Sequence, residues 1–416
     1  MKILVTHPGR QHSHQAALAL EQAGLLAGYW AGVPSVARQG RRIPAALRRR
    51  FDRYMPVPIE PRRARWFPAT PALRRMGDAL LPRGWAAEVD FFACRLFDRW
   101  AAAGLRRLDR VDAVIACEIS ALATFRTARR LGIATILDAP SLHHRAQDRL
   151  HLTTDSPALH RRITRIKDLE IALADHVLTV SELARGTYLD AGVAAERVHA
   201  VALGADLELF KPALDPQPPV SPPTESRAST GTAPAASGFV FVFSGATIRR
   251  KGFDLLLEAF ARVSAAEPGA RLRIVGPRGD SAHLLATHSA DPIVYVGQVG
   301  QRELSHELRQ ADCLVLPSRH DSYGMAVAEA LACGLPVVVS DMVGAKELVA
   351  PGRNGWIVPA GDAASLAERM RWCVRNRQVL RGMREECRRS AEAATWASYY
   401  RRFAALLRAI VAEKAA

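Results

Sequence analysis

Two acids separated by seven residues, Asp321 and Glu329, bracket the loop Ser322-Tyr323-Gly324-Met325 and the helical stretch that follows it. Glu329 is the one acid in a run of Ala, Val and Leu that Gly334 ends. A carboxylate packed among apolar side chains is costly unless donors reach it, and a ribose diol supplies two. The apolar run 313–316 leads into this segment and the β-branched run 337–339 leaves it. Strand, helix and strand in that order make a crossover that returns the chain parallel to itself. A helix opening at a strand's carboxyl end presents unpaired N–H groups and partial positive charge, which suits a phosphate.

A second constellation is Ser244-Gly245-Ala246-Thr247-Ile248-Arg249-Arg250-Lys251-Gly252, between a strand at 239–243 and a helix from Asp254. Arginine binds phosphate through two parallel hydrogen bonds, and lysine acts as a mobile point charge. Where a diphosphate departs, such cations stabilise its growing charge. Gly276 and Gly297 end two further strands and let a backbone approach a flat ligand closely; Val299 follows the second of them. In the first half, Gly9 and Arg10 sit in the loop His7-Pro8-Gly9-Arg10-Gln11-His12-Ser13-His14. Ser141, His143 and Gln147 follow a strand that ends at Asp138. A neutral imidazole both gives and accepts a hydrogen bond, although His143 reads equally as a loop or helix-capping residue.

The elements that must hold these residues alternate. Strands are expected at 3–6, 111–117, 133–138, 177–180 and 198–203, with helices at 13–23, 120–130, 158–174 and 182–189. A second series has strands at 239–243, 272–275, 293–296, 313–316, 337–339 and 356–358, and helices at 254–265, 302–310, 326–332, 364–375 and 399–412. Each series reads as α/β, a doubly wound parallel sheet. Ligands bind outside the carboxyl ends of such strands, at the topological switch point. The expected domains are 1–211, with a basic loop-and-short-helix insertion at 33–84, then a Pro/Ser/Thr-rich linker at 212–238, a second domain at 239–394 and a final helix at 395–416. The linker has almost no large apolar residues and cannot bury a core.

A chain of 416 residues suits two such domains. No apolar run approaches the ~18–20 residues that cross a bilayer, and the apolar start Ile3-Leu4-Val5 is too short for a signal peptide. Six scattered cysteines without C-x-x-C spacing fit a reducing cytoplasm and no structural zinc site. The net charge of +16 is uneven: twelve arginines between Arg38 and Arg75 face only Asp52 and Glu60. Phe51, Tyr54, Trp66 and Phe67 interleave with them. That mixture suits an anionic inner-membrane surface or a lipid-linked acceptor, at about 1 kcal/mol per cation. A solvated basic face is the competing reading. No nucleic-acid-binding motif is visible.

The acid pair followed by Gly334-Leu335-Pro336-Val337-Val338 resembles the nucleotide-sugar motif of retaining GT-B glycosyltransferases of family 4. The likeness is strong over 238–361, fair over 138–212 and poor over 33–108. It implies two Rossmann-like domains facing a central crevice. It further implies that Asp321 contacts the donor sugar, Glu329 the ribose, and Arg250 with Lys251 the diphosphate. Gly276 and Val299 would lie near the base, and Ser322, Tyr323, Gly324 and Met325 along the donor. Gly9 and Arg10 would meet sugar or phosphate, and His143 the transferring sugar or the acceptor. The family more often has Glu where Asp321 stands and Arg where Ala246 stands. The implied activity is metal-independent transfer of a sugar from a nucleotide diphosphate sugar to a saccharide or lipid-linked acceptor, without further cofactor. A nucleotide-sugar epimerase or hydrolase, or a non-catalytic nucleotide-sugar-binding protein, shares the same motif. The dinucleotide fingerprint of dehydrogenases is absent.

Overall fold

The computed structural model describes residues 1–34, 57–150, 156–212, 238–285 and 292–415. They form two compact units, Met1–Leu203 with Trp396–Ala416, and Gly204–Thr395. The division falls at Leu203 and Gly204, ahead of the expected linker, most of which lies outside the described residues.

The first unit is built on a parallel sheet of β1 (Ile3–His7), β2 (Leu26–Ala31), β3 (Ala64–Trp66), β4 (Ala113–Cys117), β5 (Ala134–Asp138), β6 (His176–Thr179) and β7 (Val198–Ala200). The order is β3-β2-β1-β4-β5-β6-β7, so the winding reverses between β1 and β4. Every residue of β1, β4 and β5 is buried, as expected for central strands covered by helices on both faces. The core joins Leu4, Trp30, Phe97, Phe125, Leu137, Val177 and Tyr188.

Two strands escaped the sequence reading. Leu-Ala-Gly-Tyr-Trp-Ala of β2 lacks a β-branched residue, and β3 is three residues in a basic stretch. The expected insertion at 33–84 is therefore corrected: its described part supplies β3, paired parallel with β2, and the helix Ala69–Leu80. Residues 35–56, with seven of the twelve arginines, lie outside the described residues. The helix Arg83–Leu105 was also missed.

That long helix has a structural task. Asp98 accepts hydrogen bonds from the Ala123 and Thr124 amides (2.7 and 2.9 Å), and Glu170 from those of Ile119, Ala121 and Leu122 (2.7–3.0 Å). Both acids are fully buried. The N-terminus of the Leu122–Arg130 helix, open by its own sequence because Ala121 cannot cap it, is thus closed by carboxylates from two other helices. The final helix, Trp396–Ala415, belongs to this unit, where Tyr400 donates a hydrogen bond to Gln15.

The second unit holds β8 (Val240–Ser244), β9 (Arg271–Val275), β10 (Ile293–Gly297), β11 (Cys313–Leu316), β12 (Val337–Ser340) and β13 (Gly355–Val358). They form one parallel sheet ordered β10-β9-β8-β11-β12-β13, with its reversal between β8 and β11. All six were expected to within one residue at each end. The short helices Arg377–Gly382 and Arg384–Glu392 were not expected.

Replacing Asp98 by Ala leaves the Ala123 and Thr124 amides without acceptors and the Thr124 hydroxyl with only its bond to the residue 98 carbonyl. We expect a loss of about 3 kcal/mol in urea unfolding. A loss below about 1 kcal/mol would remove the capping account.

Candidate active site

The reversal between β8 and β11 brings two loops together, 245–252 and 317–324. Their contact is unusually close. Gly252 has φ +68°, and a Cβ there would lie 1.9 Å from the Pro317 carbonyl oxygen. Any side chain would force the loops apart. The Arg319 amide donates to the Arg250 carbonyl (2.9 Å), and the Arg319 guanidinium grips both oxygens of Asp254 (2.6 and 2.8 Å).

Lys251 and Asp321 meet across this junction as an ion pair, both largely shielded from solvent. Arg250 donates to the His320 carbonyl (3.3 Å). Asp321 is fixed through its backbone: its amide donates to Met342, and its carbonyl accepts from Gly344. Tyr323 is held likewise, accepting from the Ala345 amide (2.6 Å). Gly324, φ +91°, opens the Met325–Ala332 helix; a Cβ there would meet Val343 Cγ1 at 2.7 Å. Ser322 and Met325 are half-buried beside it.

Glu329 lies on that helix, buried, and no hydrogen bond to its carboxyl is found among the described residues. It is not a surface partner of an arginine. Burial alone pushes its pKa up to about 7. A buried carboxyl without a donor is uncommon in a folded protein. Two neighbours that the sequence reading passed over share this condition. Ser318 Oγ and His320 Nδ1 are buried in the 317–324 loop without a hydrogen-bond partner. Burial, and then the Arg250 charge, lower the His320 pKa to about 4. Gly276 and Val299 follow the neighbouring strands β9 and β10; the Gly276 carbonyl accepts from Tyr295 Oη at 3.0 Å.

The remaining expected residues belong to the first unit. Gly9 and Arg10 follow β1, and the Gly9 amide donates to His7 Nδ1 (2.8 Å). They line a cavity of about 440 Å³ with His7, Arg74, Arg75 and Glu118. It sits at this unit's own switch point, beyond β1 and β4. Beside it, His12 Nε2 and Asp138 Oδ1 pair at 3.1 Å. Burial opposes the charged imidazole, but the charge of Asp138 and the hydrogen bond to it together outweigh burial and raise the His12 pKa.

His143 caps the His144–Arg149 helix, its Nδ1 accepting from the Arg145 amide at 3.2 Å. The proton therefore sits on Nε2: the ring accepts at the helix cap, as the capping reading had it, and keeps Nε2–H to give. Burial and adjacent positive charges bring its pKa down to about 3. His143, His144 and Asp168 place ligand atoms within 4.8 Å of one another. Arg145, Arg149 and Lys167 surround His143, which disfavours a cation there.

Two Rossmann-like units, one with cations and acids gathered at its switch point, give the α/β architecture of the GT-B fold. Residues 230–394, within or bordering the second unit, match the family described as glycosyl transferases group 1. D-inositol 3-phosphate glycosyltransferase of Jonesia denitrificans is 31% identical over 212 residues, 48% of this chain and 49% of its own length. Phosphatidyl-myo-inositol mannosyltransferase of Mycobacterium leprae is 36% identical over 135 residues, 32% of this chain and 36% of its own. The chain spans about half the length, or less, of these curated relatives. Among solved structures, sucrose-phosphate synthase of Thermosynechococcus elongatus superposes with a TM-score of 0.75 at 20% identity, covering 99% of this chain and 100% of that one. Anabaena HepE in complex with UDP and glucose gives 0.67 at 16%, covering 98% and 99%. These two likenesses concern the fold.

A carboxyl with a folded pKa of about 7 binds its proton more tightly than in the unfolded chain, where the ordinary value is 4.5. Its contribution therefore falls as pH rises from 4.5 to 7, by about 3 kcal/mol. Urea-unfolding stability of the wild type should decline relative to Glu329→Gln across that window. Parallel pH curves would refute the burial argument.

Proposed function

We propose that the chain is a retaining glycosyltransferase. It moves a sugar from a nucleotide diphosphate sugar to a hydroxyl of a saccharide or lipid-linked acceptor, in cell-surface glycan biosynthesis. The observation that carries this reading is the Lys251–Asp321 pair at the β8/β11 reversal, one helical segment from the unpartnered Glu329. The ligand has three parts that match. Its diphosphate takes Lys251 and Arg250, its sugar hydroxyls take Asp321, and its ribose diol donates to Glu329. Without ligand, Lys251 and Asp321 neutralise each other; on binding, each exchanges its partner for the complementary part of the donor. The UDP and glucose of HepE and the glycosyltransferase names of the relatives support the same ligand class.

In the transfer, the bond between the anomeric carbon and the diphosphate oxygen breaks while the acceptor oxygen approaches on the same face. The acceptor proton passes to the departing phosphate. Lys251, Arg250 and the helix tip at Gly324 stabilise the charge that develops on the diphosphate. Cations of the chain occupy the place a divalent ion would fill, so the reaction is proposed as metal-independent. Gly276 and Val299 flank the base, and Ser322, Tyr323 and Met325 the sugar and ribose. Gly9, Arg10 and the His143 Nε2–H serve the acceptor side.

No helix among the described residues is long and apolar enough to cross a membrane. Work on the cytoplasmic face, with the arginine-rich segment 38–75 against anionic lipid, is part of this reading.

Thermal-shift titration with UDP-, GDP- and ADP-sugars should stabilise the protein with one of them. Lys251→Ala and Glu329→Gln should each cut transfer by about 10²-fold or more in protein that remains folded at the assay temperature, as circular dichroism would verify. Near-normal rates in both would remove the site assignment.

A further inference from the structure

Besides Glu329, two buried side chains of the second unit leave a polar atom without a hydrogen-bond partner among the described residues, Ser318 at Oγ and His320 at Nδ1. Both lie in the 317–324 loop. Buried polar groups are paired almost without exception, so two orphans two positions apart call for a cause. Loose packing is not that cause. The Ser318 carbonyl accepts from Ser340 Oγ (2.5 Å), and the Arg319 amide donates to the Arg250 carbonyl (2.9 Å). The His320 carbonyl accepts from the Arg250 guanidinium (3.3 Å), and the Asp321 amide donates to the Met342 carbonyl (2.8 Å). The backbone is thus fixed on both sides of His320, while the ring it carries stays unpaired.

The two orphans differ in access. Ser318 is fully enclosed, and His320 keeps 5% of its surface open. A ligand therefore reaches His320 without any movement of the loop. Because Nδ1 is enclosed, it meets the ring at Nε2. The charges that face this ring are those of Arg250, Asp321 and Lys251. Burial, and then Arg250, keep it neutral near pH 7, with a pKa of about 4. The loop sets a neutral N–H donor beside two cations. An ionised phosphate oxygen accepts from such a donor in a charge-assisted bond, and an uncharged ring adds no repulsion toward Lys251 and Arg250 before the ligand arrives.

We infer that His320 is a third diphosphate-binding residue, its Nε2–H donating to an oxygen of the donor's diphosphate beside Lys251 and Arg250. This rests on the nucleotide-sugar reading above and extends it to a residue that the acid-pair motif does not include. As the bond to the sugar breaks, charge grows on the diphosphate and the hydrogen bond from His320 strengthens with it. The ligand-free protein carries the disadvantage of the arrangement, an unpaired imidazole at the site. An apolar residue of similar bulk should therefore leave the free protein no less stable while weakening its hold on phosphate.

The full chain is titrated calorimetrically with UDP, GDP and ADP, and with the nucleoside that matches whichever of them binds. Urea unfolding of the ligand-free protein is measured alongside. We expect His320→Leu to weaken the nucleoside diphosphate by about tenfold, to leave the nucleoside unchanged, and to unfold at no lower urea concentration than the wild type. His320→Gln, whose amide N–H can stand where Nε2–H does, should recover most of the lost affinity. Unchanged diphosphate affinity in His320→Leu overturns the inference. So does an equal loss for nucleoside and diphosphate, which reduces His320 to a packing role. A wild type that binds none of the three diphosphates refutes the nucleotide-sugar reading and this inference with it. A wild type that binds one of them, with His320→Leu binding it equally well, refutes this inference alone.

Discussion

Parallel strands buried on both faces keep few polar side chains along their length, each with its own partner, as Thr6 and Thr135 have, so most of the polar chemistry of this chain collects where its strands end. In the second unit, β8 and β11 are adjacent in the sheet while their following helices diverge, and the loops between strand and helix are left facing each other. The approach of Gly252 to the Pro317 carbonyl sets how near they come. Lys251 and Asp321 are paired because of it. The remainder of the site, from Arg250 to the Gly324 helix opening, depends on that one backbone contact.

The first unit repeats the architecture and uses it differently. Its β4 exit also leads to a helix N-terminus, the place where such folds commonly receive a phosphate. Here Asp98 and Glu170 already occupy those amides. An anionic ligand would have to displace two buried acids, of which Glu170 has its pKa pushed up to about 8 by burial. Arg10, Arg74 and Arg75 of this unit instead line an open cavity. One fold thus carries two solutions: a bare helix tip with nearby cations in the second unit, and a plugged tip with a separate arginine-lined cavity in the first.

Histidines show how burial redirects a residue's chemistry. His143 stood out in the sequence as a group able to give and accept a hydrogen bond, or else as a helix cap. Its place at a helix cap consumes Nδ1 and its burial keeps it neutral, so it retains one donor. His12, given no site role in the sequence, becomes the more cation-like through Asp138. Residue type alone did not separate these two; the neighbours did.

The β-branched runs at 313–316 and 337–339, the lone Glu329 and the glycines around it made the second unit readable, because each obeys a local rule of period, packing or φ. Lys251 and Asp321 were also legible as candidates. Their pairing was not, since they are 70 residues apart and only the strand order joins them. The strands β2 and β3 were invisible for the opposite reason: neither has strand-like composition, and sheet pairing alone makes them strands. The caps at Ala121 and Thr124 come from residues distant in the chain, and so does the cavity beside Gly9. Local propensity and hydrophobic pattern therefore determined most of the elements, and every strand of the second unit. Tertiary contact decided which charges meet, which are buried and which protons are held, because those quantities depend on distances between segments that no spacing along the chain encodes.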